Sequence, residues 1–252
     1  MTRLMGTLLL TGFVACLGVQ ARAEGSKDAG AVVDKAIKAM GGADKLGALK
    51  AATWKSKGVI SLGGDDNKFS SETTVKGHDH FRNDFTGDFG GMEIKGSVIV
   101  AGDKGWRKFN DMVTEMDKDA LTNEKHNIYL QLIPVHVTAL KSDHFKLGAV
   151  TAEKIDGKAA STVKITGPDG KDFTMSFDNE SGLPVRLVGN VWGFQGDEAP
   201  QEFTIGGYKD FDGLKKATKV SIKRSGEKFM TMEIVDFKTL SDVDAKTFAE
   251  PK

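Results

Sequence analysis

The chain has 252 residues, with 35 basic and 35 acidic residues, 39% hydrophobic residues and one cysteine. These values are typical of a globular protein, and a net charge of zero gives no long-range field that would collect nucleic acid. One cysteine excludes an internal disulfide, a redox pair and a thiolate zinc cage.

The first 23 residues have the pattern of a secretory signal peptide. Arg3 precedes an uncharged, largely apolar run over residues 4–20, and Ala21 and Ala23 supply the small residues that precede a cleavage site. We therefore predict export to the periplasm, with cleavage after Ala23. The remaining residues 24–252 carry 33 basic and 35 acidic residues, because Arg3 and Arg22 are removed.

The leader also allows a second processing route. Phe13-Val14-Ala15-Cys16 resembles a bacterial lipobox, in which the cysteine becomes the lipidated first residue of a membrane-anchored lipoprotein. Phe13 departs from the usual leucine. Lipidation at Cys16 is therefore the alternative to cleavage after Ala23.

Two amphipathic helices are predicted behind the leader. Over residues 26–40 the apolar residues recur at helical spacing, and Gly41-Gly42 ends the helix where positive φ is needed. Residues 43–50 form a second, short helix with Leu46 facing inward.

From Ala51 the apolar period changes from 3.6 to 2, which predicts β-strands. Turn sequences such as Asp156-Gly157 and Ser225-Gly226 separate the alternating stretches, so neighbouring strands are expected to be antiparallel. We predict about eleven strands, interrupted by one helix over residues 118–132 that Asp117 caps and Pro134 ends. Because no Pro/Ser-rich linker interrupts residues 24–252, we expect one mainly β (α+β) domain.

The catalytic and metal-binding motifs that sequence can reveal are absent. No His-Glu-x-x-His, Gly-x-Ser-x-Gly, phosphate-binding loop or dinucleotide-binding motif is present. His78 and His80 are the best metal candidates, since alternate residues of a strand point the same way, but two ligands without a third do not make a site. We expect no enzyme activity, no metal and no cofactor.

The informative feature is a long apolar face on the predicted sheet, with few helices to cover it. By pattern alone this face is either a filled core or a ligand cavity, because sequence does not reveal whether a curled sheet is full or hollow. Methionines on this face would suit a surface that adapts to acyl chains.

Four stretches resemble the LolA-like proteins, the periplasmic carriers that sort outer-membrane lipoproteins, and their relatives. They are Gly-Ala-Asp-Lys-Leu at 42–46 followed by Thr-Trp-Lys-Ser-Lys-Gly at 53–58, Ser-Gly-Leu-Pro-Val-Arg-Leu at 181–187, Tyr-Lys-Asp-Phe-Asp-Gly-Leu-Lys at 208–215, and the ending at 244–251. Ala217 departs from the proline of many relatives, and residues 118–142 match no motif of the family.

The resemblance implies an unclosed half-barrel, a curved antiparallel sheet whose concave face is covered by the N-terminal helices and the mid-chain helix. It also implies that the concave face binds a lipid or the acyl chains of a lipoprotein, and that the N-terminal helices act as a lid. The residues that alternation points inward, and that would line this cavity, are Trp54, Ile60, Met92, Ile94, Val98, Val100, Met175, Val185, Leu187, Met230 and Met232. We hypothesise that Val33, Ile37, Met40 and Leu46 are the lid residues that fill the cavity when it is empty. We expect a monomer that handles lipid. The alternatives are a sensor or adaptor that binds an envelope protein partner, and a structural envelope protein.

Overall fold

The computed structural model describes residues 18–193 and 197–252. Residues 4–17 of the predicted apolar run, with Cys16, therefore lie outside the described residues, and the predicted cleavage position Ala23 falls within the first helix. Of the helices in the described ranges, none combines the length and the apolar character needed to cross a membrane.

The second and third helices lie close to the sequence predictions, whereas the first begins at Gly18 and not at residue 26. The third helix begins where Asp117 was expected to cap it, and the Asp117 carboxylate accepts the Ala120 N–H at 2.8 Å. This bond satisfies one of the free amides of the first turn. The helices are α1 (Gly18–Ala39), α2 (Ala43–Ala48) and α3 (Lys118–Leu132), with 3₁₀ helices at Val137–Lys141 and Ala245–Phe248.

The described residues form fifteen strands, so the prediction of about eleven is wrong in number. The pattern missed short strands that carry too few residues for a period of 2 to be visible. The strands are β1 (Ala51–Leu62), β2 (Asp65–Lys76), β3 (His80–Phe89), β4 (Met92–Ala101), β5 (Lys104–Phe109), β6 (Met112–Glu115), β7 (Lys146–Ile155), β8 (Lys158–Thr166), β9 (Asp172–Asp178), β10 (Pro184–Trp192), β11 (Glu198–Gly206), β12 (Lys209–Phe211), β13 (Leu214–Lys216), β14 (Lys219–Arg224) and β15 (Glu227–Leu240).

Thirteen strands form one antiparallel sheet, and β12 and β13 form a separate two-stranded ribbon. The strand order is β6-β5-β4-β3-β2-β1-β15-β14-β11-β10-β9-β8-β7. The first strand of the chain, β1, therefore pairs with the last, β15, in the middle of the sheet. The outermost strands, β6 and β7, are joined through α3 and do not pair with each other in the described sheet. The predicted unclosed half-barrel is therefore confirmed.

One face of the sheet carries the helices, and we call it the inner face. Residues paired across an antiparallel ladder lie on the same face, so this face can be followed from strand to strand. It runs from Trp54 of β1 through Phe237 and Met232 of β15 and Val220 of β14 to Leu187 of β10.

Three apolar clusters hold the fold together. The largest lies between α1, α2, the first 3₁₀ helix and the inner face of β7–β11. The second lies between α3 and the inner face of β1–β4. The third is on the opposite, outer face, where Phe248 of the C-terminal 3₁₀ helix packs near Ile99 and Trp106. Each fully buried leucine or phenylalanine in these clusters contributes about 1.5–3 kcal/mol.

Candidate functional site

The helices cover the inner face unequally, and this divides the predicted cavity residues into three groups. Met175 and Leu187 are fully buried in the largest cluster beneath α1. Trp54, Val98 and Val100 lie beneath α3. Ile60, Met92, Ile94 and Met232 belong to neither cluster and are incompletely buried, and Met230 is also only partly buried, at the border of the largest cluster.

This uncovered part of the inner face spans seven neighbouring strands, from β15 through β1 to β6. With strands about 4.8 Å apart it extends over about 29 Å. We call it the apolar trough. It is lined by Ile60, Leu62, Phe69, Phe85, Phe89, Met92, Ile94, Phe109, Met112, Met230 and Met232.

Phenylalanine rings lying over glycines form the floor of the apolar trough. A Cβ added at Gly96 would lie 2.4 Å from the Phe85 ring, and one added at Gly58 would lie 2.8 Å from the Phe69 ring. Only a residue without a side chain allows these rings to lie against the neighbouring strand. These rings therefore lie close against the floor of the trough.

The rim of the apolar trough is strongly exposed. Met92, Phe109 and Met112 have exposed fractions of 68%, 52% and 70%. Met92 therefore lies at an open rim and not inside a cavity, because it begins β4 directly after the Gly90-Gly91 turn. Exposed apolar patches of this kind are typical of interaction sites.

Val185, like Met92, does not lie where the sequence analysis predicted, inside a cavity. The register shifts between Pro184 and Arg186, so Val185 is the residue that the bulge leaves unpaired. It stays partly exposed outside the large cluster. The alternation that predicted its direction is broken at this bulge.

The predicted lid residues all face the sheet. Val33, Ile37, Met40 and Leu46 are buried in the same cluster as Met175. The helices thus fill the inner face of β7–β11 with their own side chains. Movement of these helices remains a prediction.

The border between α3 and the apolar trough is polar. An Arg107 guanidinium nitrogen lies 2.7 Å from Glu124 Oε2, linking β5 to α3. Beside it the Asn83 amide donates to Thr73 Oγ1 at 2.8 Å. These contacts fix the edge of the helix where the apolar surface opens.

His78 and His80 do not share a face, because His78 lies in the turn before β3 and not on the strand. The His78 ring stacks on His136 at 5.5 Å, whereas the His80 ring contacts Phe248 edge-on at 5.2 Å. Across the residues that the structure describes, no three histidine, cysteine or acidic side chains are grouped to hold a metal ion.

A buried polar network fastens α3 to the β8–β9 turn and to β10. His126 Nε2 donates to the Asn190 carbonyl at 2.8 Å, and Nδ1 lies 2.5 Å from Asp169 Oδ2. The Tyr129 hydroxyl donates to Asp169 Oδ1 at 2.9 Å. Burial raises the pKa of Asp169, but hydrogen bonds from His126, the Lys171 amide and Tyr129 outweigh burial and lower the pKa overall. The network therefore acts as a structural anchor.

Two grooves lie away from the apolar trough. One, of about 630 Å³, separates the outer face of β3–β5 from the C-terminal segment and is lined mainly by polar and charged side chains, including Arg82, Lys95 and Lys246. The other, of about 570 Å³, lies at the end of α1 beside Lys38 and Lys215.

No protein-family model matches the sequence, and no curated protein matches it. Solved structures similar to this chain include a LolA superfamily protein from Nitrosomonas europaea, with a TM-score of 0.58 and 11% identity over 88% of this chain and 97% of that one. A DUF1329 family protein from Desulfovibrio piger has a TM-score of 0.56 and 13% identity over 88% and 97%.

A domain described as an outer membrane lipoprotein-sorting protein, from Vibrio parahaemolyticus, has a TM-score of 0.53 and 9% identity over 86% of this chain and 97% of that one. At these low identities the likeness establishes the fold. The chain has the LolA-like fold, as the sequence resemblance predicted.

Proposed function

We propose that this chain is an exported envelope protein of LolA-like fold that binds a lipid, or the acyl chains of a lipoprotein, on its apolar trough. In this role it acts as a carrier or chaperone in outer-membrane lipoprotein sorting. The apolar trough is the observation that carries the proposal, because it leaves Met92, Phe109 and Met112 exposed on one face of the sheet, with Phe109 and Met112 paired directly across β5 and β6.

The physical chemistry of the apolar trough suits an acyl chain. Each methylene removed from water contributes about 0.8 kcal/mol, so a chain of a dozen carbons supplies substantial affinity without polar contacts. The flexible Met92, Met112, Met230 and Met232 side chains can adapt to chains of different shape. Flat phenylalanine rings complete a surface that binds apolar chains without contacting a particular head group.

Release of cargo requires a competitor for the inner face, and we assign this role to α1 and α2. Val33, Met40 and Leu46 occupy the inner face of β7–β11 and would move aside when cargo extends beneath them. The lid then has a closed and an open conformation, and binding of cargo shifts the population towards the open one.

The proposed role needs no catalytic residue and no cofactor. The protein would work in the periplasm as a monomer after cleavage behind Ala23, or at a membrane if Cys16 is lipidated. Its partner is a lipid or a lipoprotein. Proteins named for lipoprotein sorting share its fold, which supports the proposal without extending their activity to this chain.

Native mass spectrometry of the protein purified from a bacterial envelope, followed by titration with a fluorescent fatty acid, tests this function. Phe109→Asp should weaken uptake at least about tenfold, because it places a charge on the rim of the apolar trough. Val235→Asp is the matched control, since Val235 has the same exposed fraction, 52%, but is left unpaired by a bulge of β15.

Three outcomes separate the candidate roles. Bound lipid, with uptake lost in Phe109→Asp alone, supports a carrier. A co-purified envelope protein without lipid supports a sensor or adaptor. A protein that co-purifies with neither lipid nor an envelope protein, and that takes up no fatty acid, would have a structural role, and this result would refute the proposed function.

A further inference from the structure

A buried ammonium group lies inside the half-barrel. Lys216, at the end of β13, is 3% exposed, and its Nζ donates to the Val135 carbonyl at 2.5 Å. Nζ also lies 5.7 Å from the centre of the Phe237 ring, within range of a cation–π contact. Among the described side chains no carboxylate lies within salt-bridge distance of this ammonium. Lysine is almost never buried without an acidic partner.

Two histidines accompany Lys216. His136 Nε2 donates to the Leu46 carbonyl of α2 at 2.8 Å, and its ring stacks on His78 from the β2–β3 turn. Burial is the largest influence on the pKa of His136 and lowers it, the bond to the Leu46 carbonyl opposes this, and the neighbouring His78 and Lys216 lower the pKa further. Burial alone lowers the pKa of Lys216 to about 8. Three basic groups from distant parts of the chain thus meet; we call Lys216, His136 and His78 the basic cluster.

The basic cluster lies at the closed end of the inner face, beneath α2. Phe237, which faces Lys216, stacks on Trp54 with ring centres 6.3 Å apart. Along β1 the inner face continues from Trp54 past Gly58 to Ile60 in the apolar trough. The inner face of β1 therefore connects the trough, past Ser56, with the three basic groups.

From this arrangement we infer that the basic cluster binds the anionic head group, a carboxylate or a phosphate, of an amphiphile whose acyl chain lies along the inner face. The inference rests on the proposed function and names its substrate class. An anion beside Lys216 would supply the partner that the ammonium lacks. Entry requires α2 to lift, which breaks the bond between His136 and the Leu46 carbonyl.

Matched pairs of amphiphiles test this inference. Laurate is compared with 1-dodecanol, and lauroyl lysophosphatidate with monolaurin, each below its aggregation limit, by displacement of a fluorescent fatty acid at pH 7. We expect at least one anionic ligand to bind roughly tenfold more tightly than its neutral partner. Preference in the first pair identifies a free carboxylate as the source, and preference in the second a phosphate head group.

The variants separate a role in recognition from one in structure. Lys216→Met should remove the anionic preference while leaving affinity for the neutral ligand within twofold, and Lys216→Arg should keep part of the preference. Lys215→Met removes the exposed neighbouring charge and should change neither. Equal binding of anionic and neutral ligands by the wild type, or an unchanged preference in Lys216→Met, would overturn the inference while leaving the proposed function standing.

A second measurement needs no variant. In the wild type, laurate affinity should fall between pH 7.5 and pH 9.5 as Lys216 loses its proton, while 1-dodecanol affinity stays constant. A laurate affinity that is flat over this range would also contradict the inference. If neither ligand of either pair binds, the proposed function fails together with it.

Discussion

Replacing Lys216 by methionine should stabilise the empty protein. Burial lowers the pKa of Lys216 from its ordinary value of 10.5 to about 8. This difference corresponds to about 3 kcal/mol of unfavourable free energy whenever the side chain is charged in both states. Methionine has a similar length and no charge, but it gives up the bond to the Val135 carbonyl, which costs about 1–2 kcal/mol. The net gain is about 1–2 kcal/mol.

The pH dependence of the same variant gives an independent check. The folded chain releases the Lys216 proton at lower pH than the unfolded chain does, so the penalty is complete below about pH 8 and fades towards pH 10.5. Wild-type stability should therefore rise between pH 8 and pH 9.5 by up to about 1.4 kcal/mol per pH unit. Lys216→Met should lack this rise.

Urea denaturation at pH 7, 8 and 9.5, for the wild type and Lys216→Met, measures both effects. The range stops below pH 10 because burial raises the pKa of Tyr129 and Tyr208, whose ionisation in the unfolded chain would then lower stability. A variant that is less stable by about 2 kcal/mol or more at pH 7, or one that keeps the alkaline rise, would refute the reasoning.

Three further changes test other parts of the structure. Asp169→Asn should lower the free energy of unfolding, measured by urea denaturation, by about 2–3 kcal/mol, because it weakens the anchor of α3. The variant should also lose less stability than the wild type as pH falls through the lowered pKa of the Asp169 carboxyl, which it no longer has. Equal acid sensitivity of the two proteins would contradict this. Gly96→Ala should lower the stability of the protein by about 1–3 kcal/mol, because its Cβ would meet the Phe85 ring. Gly206→Ala is the control and should have little effect, since open space surrounds Gly206. Equal shifts of the two melting temperatures would argue against the packed floor. Leu46→Ala should destabilise the protein without ligand by about 2–4 kcal/mol, because it removes a fully buried side chain. It should also strengthen fatty-acid binding, because it destabilises the closed lid and not the open one. An unchanged affinity would contradict the role of a lid.

Local chemistry made much of the fold predictable. The cap at Asp117 and the change of period at Ala51 located α3 and β1, because both signals lie within a few residues of the element they define. Alternation also identified the inner face correctly at Trp54, Met175 and Leu187. It failed at Val185, where a bulge inserts one residue and shifts the register.

The most informative surface was harder to predict. Phe69 and Phe85 belong to the apolar trough but alternate with polar neighbours on the same face, such as Ser71 and Asn83, so no continuous apolar period revealed them. A signal was nevertheless present, since Gly58 and Gly96 lie opposite these rings. Glycine in a strand often marks a close approach of this kind.

Long-range contacts explain why the basic cluster could not be found in the sequence. His78, His136 and Lys216 are separated by more than fifty residues at each step, and none forms a local motif. The sheet brings them together because β1 and β15 pair in its middle and the turn before β3 reaches the segment after α3. Only the topology reveals this proximity.

The claim that the apolar trough holds acyl chains is tested most directly by photo-crosslinking with a fatty acid that carries a diazirine near its methyl end. After digestion, mass spectrometry should locate the label on peptides from β2–β6 and β15, with Phe109 and Met112 among the labelled residues. Excess laurate should suppress this labelling. Labelling confined to the outer groove beside Lys246, or labelling that laurate does not suppress, would contradict the account.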